Sequence, residues 1–375
     1  MAPMVEDSAT QRIARLTPLK AILELIDLQI EPVKPQRWAI AITRGFTLAE
    51  DVVSSECPEH PIALRDGFAV EAAAVADANS YAPVLLPPPA CRVDVGQALP
   101  SGADAVLPLD AVVLRGEKAE AVAPVTVGEG MLPAGGDTAP HSLMRRAGER
   151  IRSIDVAAMR AAGVKNVLIR EPRVAVVLGS EPGTGPLHAV LGLLVHKVRD
   201  AGAKVPGSPD ITLGVAIADN NNDAIIAIGG TGSGRRDNAV RTLARLGRVE
   251  AHGIAVSPGE TAAFGFVGQR PVLLVPGRLD AAFAVWLFIG RHLLVKLAGG
   301  KVADRPSLMP LKRKVTSTIG MTELVPVSVD DGMAEPLSSG YLSFTALASS
   351  DGWMAVPADS EGFAAGTQVA VMPWM

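Results

Sequence analysis

The chain has 375 residues, of which 48% are hydrophobic, 20% charged and only 4% aromatic. This length exceeds what one hydrophobic core supports, so we expect two to four folded domains and exclude a minimal binding module. The high hydrophobic and moderate charged content excludes a disordered chain. The net charge of -4, without any long run of Lys or Arg, excludes the broad basic surface that nucleic-acid binding requires.

The N-terminal part of the chain predicts one amphipathic helix. Segment 1–10 lacks the basic start and apolar core of a secretory signal, so we expect no export. Thr17-Pro18 offers an N-cap and a first-turn proline. An apolar stripe with helical spacing follows: Leu19, Ile22, Leu23 and Ile26. We expect this helix to pack on another domain or subunit.

The next part of the chain predicts a β-rich domain inside a helical linker domain. Between 49 and 124, short apolar runs alternate with Pro and Gly, which is typical of small β domains with few helices. We therefore assign residues 51–137 to the β-rich domain. Residues 1–50 and 138–170 form the helical linker domain, with a short predicted helix at 154–162.

Residues 171–300 predict an α/β domain with parallel strands. Buried strands at 173–179, 224–228 and 271–275 are each followed by a glycine-containing loop and a helix. The longest apolar run, 281–290, is much shorter than the roughly 20 residues that cross a bilayer. We expect a buried helix there and no membrane contact.

Residues 301–375 predict a small C-terminal domain of β-barrel-like form. Short alternating strands are separated by Gly, Asp and Ser turns at 311–317, 324–329, 353–356 and 368–372. The predicted fold class is therefore α/β plus β-rich domains in an elongated, multidomain chain.

A glycine-rich loop joins the second α/β strand to its helix. Its residues are Gly229, Gly230, Thr231, Gly232, Ser233, Gly234, Arg235, Arg236 and Asp237. Free backbone N–H groups at a helix N-terminus favour an anion, so a phosphate or carboxylate fits this loop. The loop lacks the Gly-Lys-Ser/Thr ending of a Walker sequence, which argues against ATP hydrolysis. On the residues alone, a tight turn with surface arginines is an equally good interpretation.

Other candidate sites are weaker on the residues alone. Segment 180–187 is a Gly/Pro loop at the sheet edge where open α/β folds bind ligands. Asp66 and Asp137 each adjoin glycine, although such residues more often only form turns. The histidines and the two cysteines, Cys57 and Cys91, lack the spacing of a metal site, a disulfide framework or a nucleophile. This cysteine usage indicates a reducing cytoplasm.

Several segments resemble, in order, the motifs of one enzyme family. Residues 42–54 are similar to "ALGRVLAEDVVS", 66–70 to "MDGYAV", 99–106 to "P.GADAVV" and 229–237 to "GGVSVG..D". Further along, 257–265 resembles "KPGKP..FG", 275–277 "LPGNP" and 338–357 "GSG...SL..AN....LP". From about residue 19 to its C-terminus, the chain resembles the MoeA-type molybdopterin molybdotransferases of molybdenum cofactor biosynthesis.

This resemblance implies a fold, a reaction and a set of site residues. The implied reaction inserts molybdate into molybdopterin or its adenylylated form and releases AMP, with Mg2+ assisting. A three-layer α/β domain would bind the pterin, against the β-rich domain of a homodimer partner. Asp66, Asp137 and Asp237 match the family's aspartates and are the catalytic candidates. The implied cofactor-binding residues are 229–236 with Ser257, Pro258, Gly259, Pro276, Gly277 and Arg278.

The acidic positions of the family pattern are partly replaced. Pro61 stands where the family has an Asp before "DGY", and Glu181-Pro182 stands at the acidic pair of "TGDEL". Glu181 is therefore the one remaining metal-ligand candidate, and assistance by Mg2+ is weakened. These departures leave open an alternative to an active enzyme, namely a non-catalytic molybdopterin carrier or a regulatory paralogue.

The basic positions of the family pattern also differ. Ser257 and Glu260 replace the lysines of "KPGKP", and Arg278-Leu279 replaces the Asn-Pro of "LPGNP". Guanidinium groups bind phosphate through two hydrogen bonds, so arginine can substitute for lysine as an anion ligand. We expect Arg235, Arg236 and Arg278 to supply the missing positive charge.

Overall fold

A computed structural model describes residues 11–179, 186–207, 211–301 and 305–374. The α-helices within these ranges are Leu19–Gln29 (α1), Ser153–Ala161 (α2), Pro186–Asp200 (α3), Leu213–Ala218 (α4), Ala239–Leu246 (α5), Leu279–Val285 (α6), Arg291–Leu297 (α7) and Phe344–Ala348 (α8). A π-helical turn, Trp286–Gly290, connects α6 to α7. No helix in these ranges has the length and apolar content to span a membrane.

The strands divide into two series along the chain. The first series is Gln36–Ala39 (β1), Thr47–Leu48 (β2), Val52–Val53 (β3), Ile62–Ala63 (β4), Gly67–Val70 (β5), Val84–Leu85 (β6), Arg92–Val93 (β7), Ala105–Pro108 (β8), Val112–Arg115 (β9), Lys118–Ala121 (β10), Met131–Leu132 (β11), Leu143–Arg145 (β12) and Asn166–Arg170 (β13). The second is Val174–Leu178 (β14), Ala224–Ile228 (β15), Arg248–His252 (β16), Val256–Ser257 (β17), Ala263–Val267 (β18), Arg270–Val275 (β19), Ser307–Pro310 (β20), Val315–Thr316 (β21), Thr322–Asp330 (β22), Met333–Pro336 (β23), Gly352–Val356 (β24), Gly362–Phe363 (β25) and Gln368–Pro373 (β26).

Two separate stretches of chain build one small unit, which we name the linker unit (36–53 and 143–170). Strand β13 pairs antiparallel with β1 and β2, and β12 pairs with β3. Its core contains Leu48, Ile151, Met159 and Ile169, all fully or almost fully buried. The residues between the two stretches form small sheets, β7-β5-β8, β6-β10-β9 and β11-β4, without an α-helix. The predicted domain boundaries themselves stay a prediction.

A five-stranded sheet in the order β14-β15-β19-β18-β16 forms the α/β unit. Strands β14, β15 and β19 are parallel, as predicted, and their bounds differ from the prediction by at most one residue at either end. Strands β18 and β16, which the sequence analysis did not predict, complete the sheet and run antiparallel. Only two residues separate β18 from β19, and such a turn forces the strands into a hairpin, with Gly268 at φ 60°.

The α/β unit has three layers, because both faces of its sheet are covered by helices. Every residue of β14 and β15 is buried, as parallel sheets require. Alternate side chains of these strands face two clusters, one with α1, α3, α6 and α7, the other with α4 and α5. Ile22 and Ile26 place α1 in the first cluster, which confirms the expectation that this helix packs on another domain.

The start of α1 differs from the prediction. Pro18, and not Thr17, is the N-cap, and it offers no side-chain hydrogen bond. Thr17 instead pairs in parallel with Ile254: its N–H donates to the Gly253 carbonyl at 2.9 Å, and its own carbonyl accepts from Ala255 at 2.8 Å. Both backbone hydrogen bonds of Thr17 therefore attach the segment before α1 to the α/β unit.

The C-terminal unit is a six-stranded sheet in the order β17-β22-β24-β26-β20, with β23 paired to β22. Strand β17, from the α/β unit, joins this sheet in parallel with β22. A bridge between Leu311 and Ala334 connects the end of β20 with β23, but among the described strands a closed barrel is not confirmed. Two details were predicted wrongly: 311–317 is not one strand, and the short helix α8 was not expected.

Candidate functional site

Three glycine turns meet where the parallel strands β14, β15 and β19 end. Gly179 follows β14, Gly229 follows β15 and Gly277 lies two residues after β19. A Cβ added to Gly179 would lie 2.2 Å from the Gly229 carbonyl oxygen, and one added to Gly229 would lie 3.9 Å from Cα of Gly277. Glycine therefore lets three backbone turns approach at the carboxyl edge of the sheet, where open α/β folds bind ligands.

The backbone of the glycine loop is fastened at both ends. The N–H of Gly229 donates to the Val275 carbonyl at 2.8 Å, and the N–H of Ala239 donates to the Gly230 carbonyl at 3.0 Å. Gly229 and Gly230 have φ of 82° and 73°, which is accessible to glycine without strain. Between these anchors, the N–H groups of residues 231–233 have no hydrogen-bond partner within the described part of the chain. The N-terminus of α5 lies next to them, which favours an anion.

Asp237 closes the glycine loop. Its Oδ2 accepts a hydrogen bond from the Gly234 N–H at 2.7 Å, and its own N–H donates to the Gly234 carbonyl at 3.0 Å. One oxygen of this predicted catalytic carboxylate is therefore occupied in shaping the turn. Arg235 and Arg236, between these two residues, are exposed to solvent.

The other two predicted catalytic aspartates lie in the β-rich region. Asp66 is exposed just before β5, and its Oδ1 accepts from the Val95 N–H at 2.9 Å. Asp137 is also exposed, and its N–H donates to the Cys57 carbonyl at 3.0 Å. Across the four described ranges, no three His, Cys, Asp or Glu side chains form a group that fits a metal ion. Glu181 lies outside the described residues, so the metal and catalytic roles stay predictions.

The turn at Ser257, Pro258 and Gly259 packs on helix α6. A Cβ added to Gly259 would lie 2.7 Å from Cγ2 of Val285, and the φ of this glycine is 134°. Helix α6 begins directly after Arg278, and the same added Cβ would lie 3.4 Å from the carbonyl oxygen of Ala281 in the first turn of this helix. Glu260 accepts the N–H of Gly259 at 3.1 Å and therefore also shapes the turn.

Arg278 is held by groups of the protein. Its guanidinium donates from Nε to Oδ1 of Asp280 at 3.1 Å and from Nη2 to Oδ2, and it lies 5.1 Å from the ring centre of Tyr341. The hydrogen bonds to Asp280 raise the pKa of Arg278 above its ordinary value. Asp280, only 3% exposed, also accepts the Leu342 N–H at 3.3 Å. Arg278 thus connects the α/β unit to the C-terminal unit, and its predicted role toward a ligand stays untested.

Side chains that the sequence did not indicate contact the glycine loop, among them Gln11 and His252. Gln11 is 7% exposed, and its Nε2 donates to the carbonyls of Gly230 at 3.1 Å and Gly232 at 2.8 Å. Nε2 of His252 lies 2.9 Å from the carbonyl oxygen of Thr231. These contacts join residues that are far apart in the chain, so no local motif or spacing indicates them.

A cleft of about 780 Å³ lies elsewhere, between the linker unit and the α/β unit. Its lining includes Arg44, Arg150, Arg199 and Lys204. Lys204 forms a parallel β-bridge with Arg173, the residue before β14. The cleft is therefore at the amino-terminal edge of the parallel strands, opposite the glycine turns. It contains none of the predicted site residues.

Three family models match successive parts of the chain. "MoeA N-terminal region (domain I and II)" matches residues 9–163, "Probable molybdopterin binding domain" matches 195–296, and "MoeA C-terminal region (domain IV)" matches 309–374. The glycine loop, the turn at Ser257 and the segment 276–278 all lie within the second match.

Similar proteins and structures agree with these matches. Molybdopterin molybdenumtransferase 1 of Mycobacterium tuberculosis is 29% identical over 320 residues, covering 72% of this chain and 75% of that protein. A molybdopterin biosynthesis protein of Methanocaldococcus jannaschii is 31% identical over 153 residues, which are 40% of this chain but only 36% of that protein. The crystal structure of a molybdopterin biosynthesis MoeA protein from Pyrococcus horikoshii superposes with a TM-score of 0.73 at 25% identity, covering 96% of this chain and 99% of that one.

Proposed function

Because this chain belongs to the MoeA family, we propose that it inserts molybdenum into molybdopterin bound at the three glycine turns. The observation that carries this proposal is the convergence of the turns after β14, β15 and β19. Relatives named molybdopterin molybdenumtransferase align over 75% and 95% of their own lengths, which supports the same activity here.

In this proposal the glycine loop binds the phosphate of molybdopterin or of its adenylylated form. The free N–H groups of residues 231–233 and the N-terminus of α5 provide hydrogen bonds and a favourable dipole for an anion. Arg235 and Arg236 are exposed beside these N–H groups and add positive charge. With the adenylylated form, molybdate enters as the second substrate, the phosphoanhydride bond between the pterin phosphate and the adenylyl group breaks, and the adenylyl group leaves as AMP with an oxygen from molybdate or water.

The three aspartates are proposed as the catalytic groups. Asp66 and Asp137 are exposed, and one oxygen of Asp237 is not used by the turn, so each can meet a substrate or a partner subunit. Magnesium fits no cluster of three side chains in the ranges described, and we assign no step to it. A carrier or regulatory protein that binds pterin without turnover is the alternative outcome.

Two measurements on the purified protein test this function. Pterin fluorescence after oxidation detects bound molybdopterin, and release of AMP from adenylylated molybdopterin is followed with and without molybdate. Molybdate-dependent release supports the proposed enzyme. Bound pterin without release supports the carrier alternative, and the absence of both contradicts the proposed site.

A pair of matched variants tests the glycine loop itself. Arg235→Ala combined with Arg236→Ala should weaken molybdopterin binding about tenfold or more, because each substitution removes a guanidinium that makes a charge-assisted contact with the phosphate. Arg245→Ala removes another exposed arginine, in the last turn of α5, and should leave binding unchanged. Equal affinities of the double variant and the wild type would exclude the two arginines as ligands.

We also propose that the protein is a homodimer. The β-rich region exposes apolar side chains, including Leu64, Val95 and Leu114 at 54%, 61% and 65%, which an interface would cover. Light scattering should give twice the chain mass of 38.8 kDa. The mass of a single chain over the micromolar range contradicts the dimer.

A further inference from the structure

The carbonyl groups of three consecutive glycine-loop residues are all held by side chains from outside the loop. Gln11 donates to the carbonyls of Gly230 and Gly232, and its Oε1 accepts the N–H of Arg241 in α5 at 3.2 Å. The amide of Gln11 therefore joins the loop to the helix that follows it. Because this side chain is 7% exposed, water cannot easily replace its three hydrogen bonds.

His252 holds the carbonyl between those two. Its Nε2 lies 2.9 Å from the oxygen of Thr231, and a carbonyl can only accept, so this nitrogen carries the proton. The hydroxyl of Thr231, a residue only 2% exposed, lies 3.0 Å from the hydroxyl of Thr261. The middle residue of the loop is thus fixed through its backbone and through its side chain.

Fixing the carbonyls determines where the N–H groups point. In a glycine-rich loop the peptide planes can rotate at little cost, since glycine adopts positive and negative φ about equally. A rotated plane would turn a carbonyl oxygen, and not an N–H, toward a bound anion. Gln11 and His252 stabilise the orientation that leaves the N–H groups of residues 231–233 free.

We propose that Gln11 and His252 are positioning residues, which preorganise the glycine loop for the phosphate of the pterin substrate. This inference rests on the proposed function, because it takes that substrate as the ligand. It makes the segment before α1 part of the binding site, although this segment lies more than two hundred residues from the loop in the chain. Preorganisation increases affinity by removing the cost of ordering the loop on binding.

Variants at Gln11 test the proposal with a matched control. Gln11→Glu keeps the size of the side chain and the acceptor for Arg241, but it removes both donors and places a carboxylate beside two carbonyls. It should raise the dissociation constant for molybdopterin at least tenfold. Gln269→Glu makes the same change in the exposed turn between β18 and β19 and should have no effect.

Variants at His252 provide a rescue. His252→Ala removes the donor to Thr231 and should weaken molybdopterin binding, whereas His252→Gln supplies a new N–H donor and should restore part of it. A purely structural role would change the melting temperature of both variants without separating their affinities. Unchanged affinity in Gln11→Glu and in His252→Ala would overturn the proposal.

Hydrogen exchange of the ligand-free protein separates this inference from the proposed function. The amides of peptides covering 229–241 should exchange faster in Gln11→Glu than in the wild type, while peptides of β14 and β24 should not change. If the wild type binds no molybdopterin, the proposed function fails, yet faster exchange still supports the positioning role. Identical exchange in the loop of the variant and the wild type would contradict that role.

Discussion

Removing Arg278 should destabilise the protein more than neutralising its partner Asp280. The two side chains differ in exposure, because that of Arg278 is 61% exposed and that of Asp280 only 3%. Arg278→Ala leaves a carboxylate buried without its cation, whereas Asp280→Asn leaves a guanidinium that water can solvate. The costs of the two substitutions are therefore unequal, although both break the same ion pair.

The magnitudes follow from burial. Leaving a fully buried charge without its partner lowers the free energy of unfolding by about 3 to 5 kcal/mol. Loss of the partly exposed Arg278 also admits water to the carboxylate, so we expect Arg278→Ala to lower it by about 2 kcal/mol. Asp280→Asn keeps the shape of the side chain and one hydrogen-bond acceptor, and we expect it to lower the free energy of unfolding by about 1 kcal/mol. The double variant should lose no more than Arg278→Ala alone, because its Asn has no charge to strand.

Calorimetry of the three variants measures these differences. In a cooperative unit of this size, about 2 kcal/mol corresponds to a decrease in melting temperature of about 4 to 8 °C. The transition to follow is that of the α/β and C-terminal units, which Arg278 connects through Asp280 and Tyr341. Equal losses for Arg278→Ala and Asp280→Asn, or losses that add in the double variant, would refute the reasoning.

Three further predictions concern other units. Gly67→Ala should destabilise the β-rich region by about 3 kcal/mol or more, measured by urea unfolding, because the added Cβ would lie 2.0 Å from the Leu107 carbonyl oxygen. Asp66→Asn should change the free energy of unfolding by less than about 1 kcal/mol, since this exposed carboxylate accepts one hydrogen bond. The same substitution should slow AMP release about a hundredfold, because Asp66 is one of the proposed catalytic groups. Burial alone would raise the pKa of Asp155, but hydrogen bonds from Arg152 lower it below its ordinary value. Ionised Asp155 therefore stabilises the folded protein above about pH 4, and this contribution is lost as the pH falls through the folded-state pKa. Asp155→Asn should accordingly reduce the loss of stability measured between about pH 5 and pH 2.

The three parallel strands of the α/β unit were predictable because each is a nearly continuous apolar run that is buried on both faces. The bounds of β14 and β15 could therefore be predicted from the sequence to within one residue at either end. The direction of β18 was not predictable in the same way, since apolar content does not encode direction, and only the length of its turn does. The short helix α8 lies among polar turns, without an apolar stripe of useful length.

The candidate site was predictable only in its backbone part. Glycine turns after strands leave a clear pattern, and the structure brings Gly229 and Gly277 together. The contacts of Gln11 with the loop carry no pattern, because a single amide in an N-terminal segment can point anywhere. The surroundings of Arg278 were likewise not predictable, because its charge indicates a possible anion ligand but not that Asp280 pairs with it, and its role toward a ligand stays a prediction.

The split construction of the linker unit has a consequence for synthesis of the chain on the ribosome. Gln36 pairs with Ile169, so β1 has no partner until β13 has emerged. The β-rich region between them can fold first, as domains do during synthesis, and this shortens the effective loop that must close. Damage to that region, as in Gly67→Ala, should therefore leave newly made β1 unpaired for longer, and so lower the yield of soluble protein more than its stability alone would suggest.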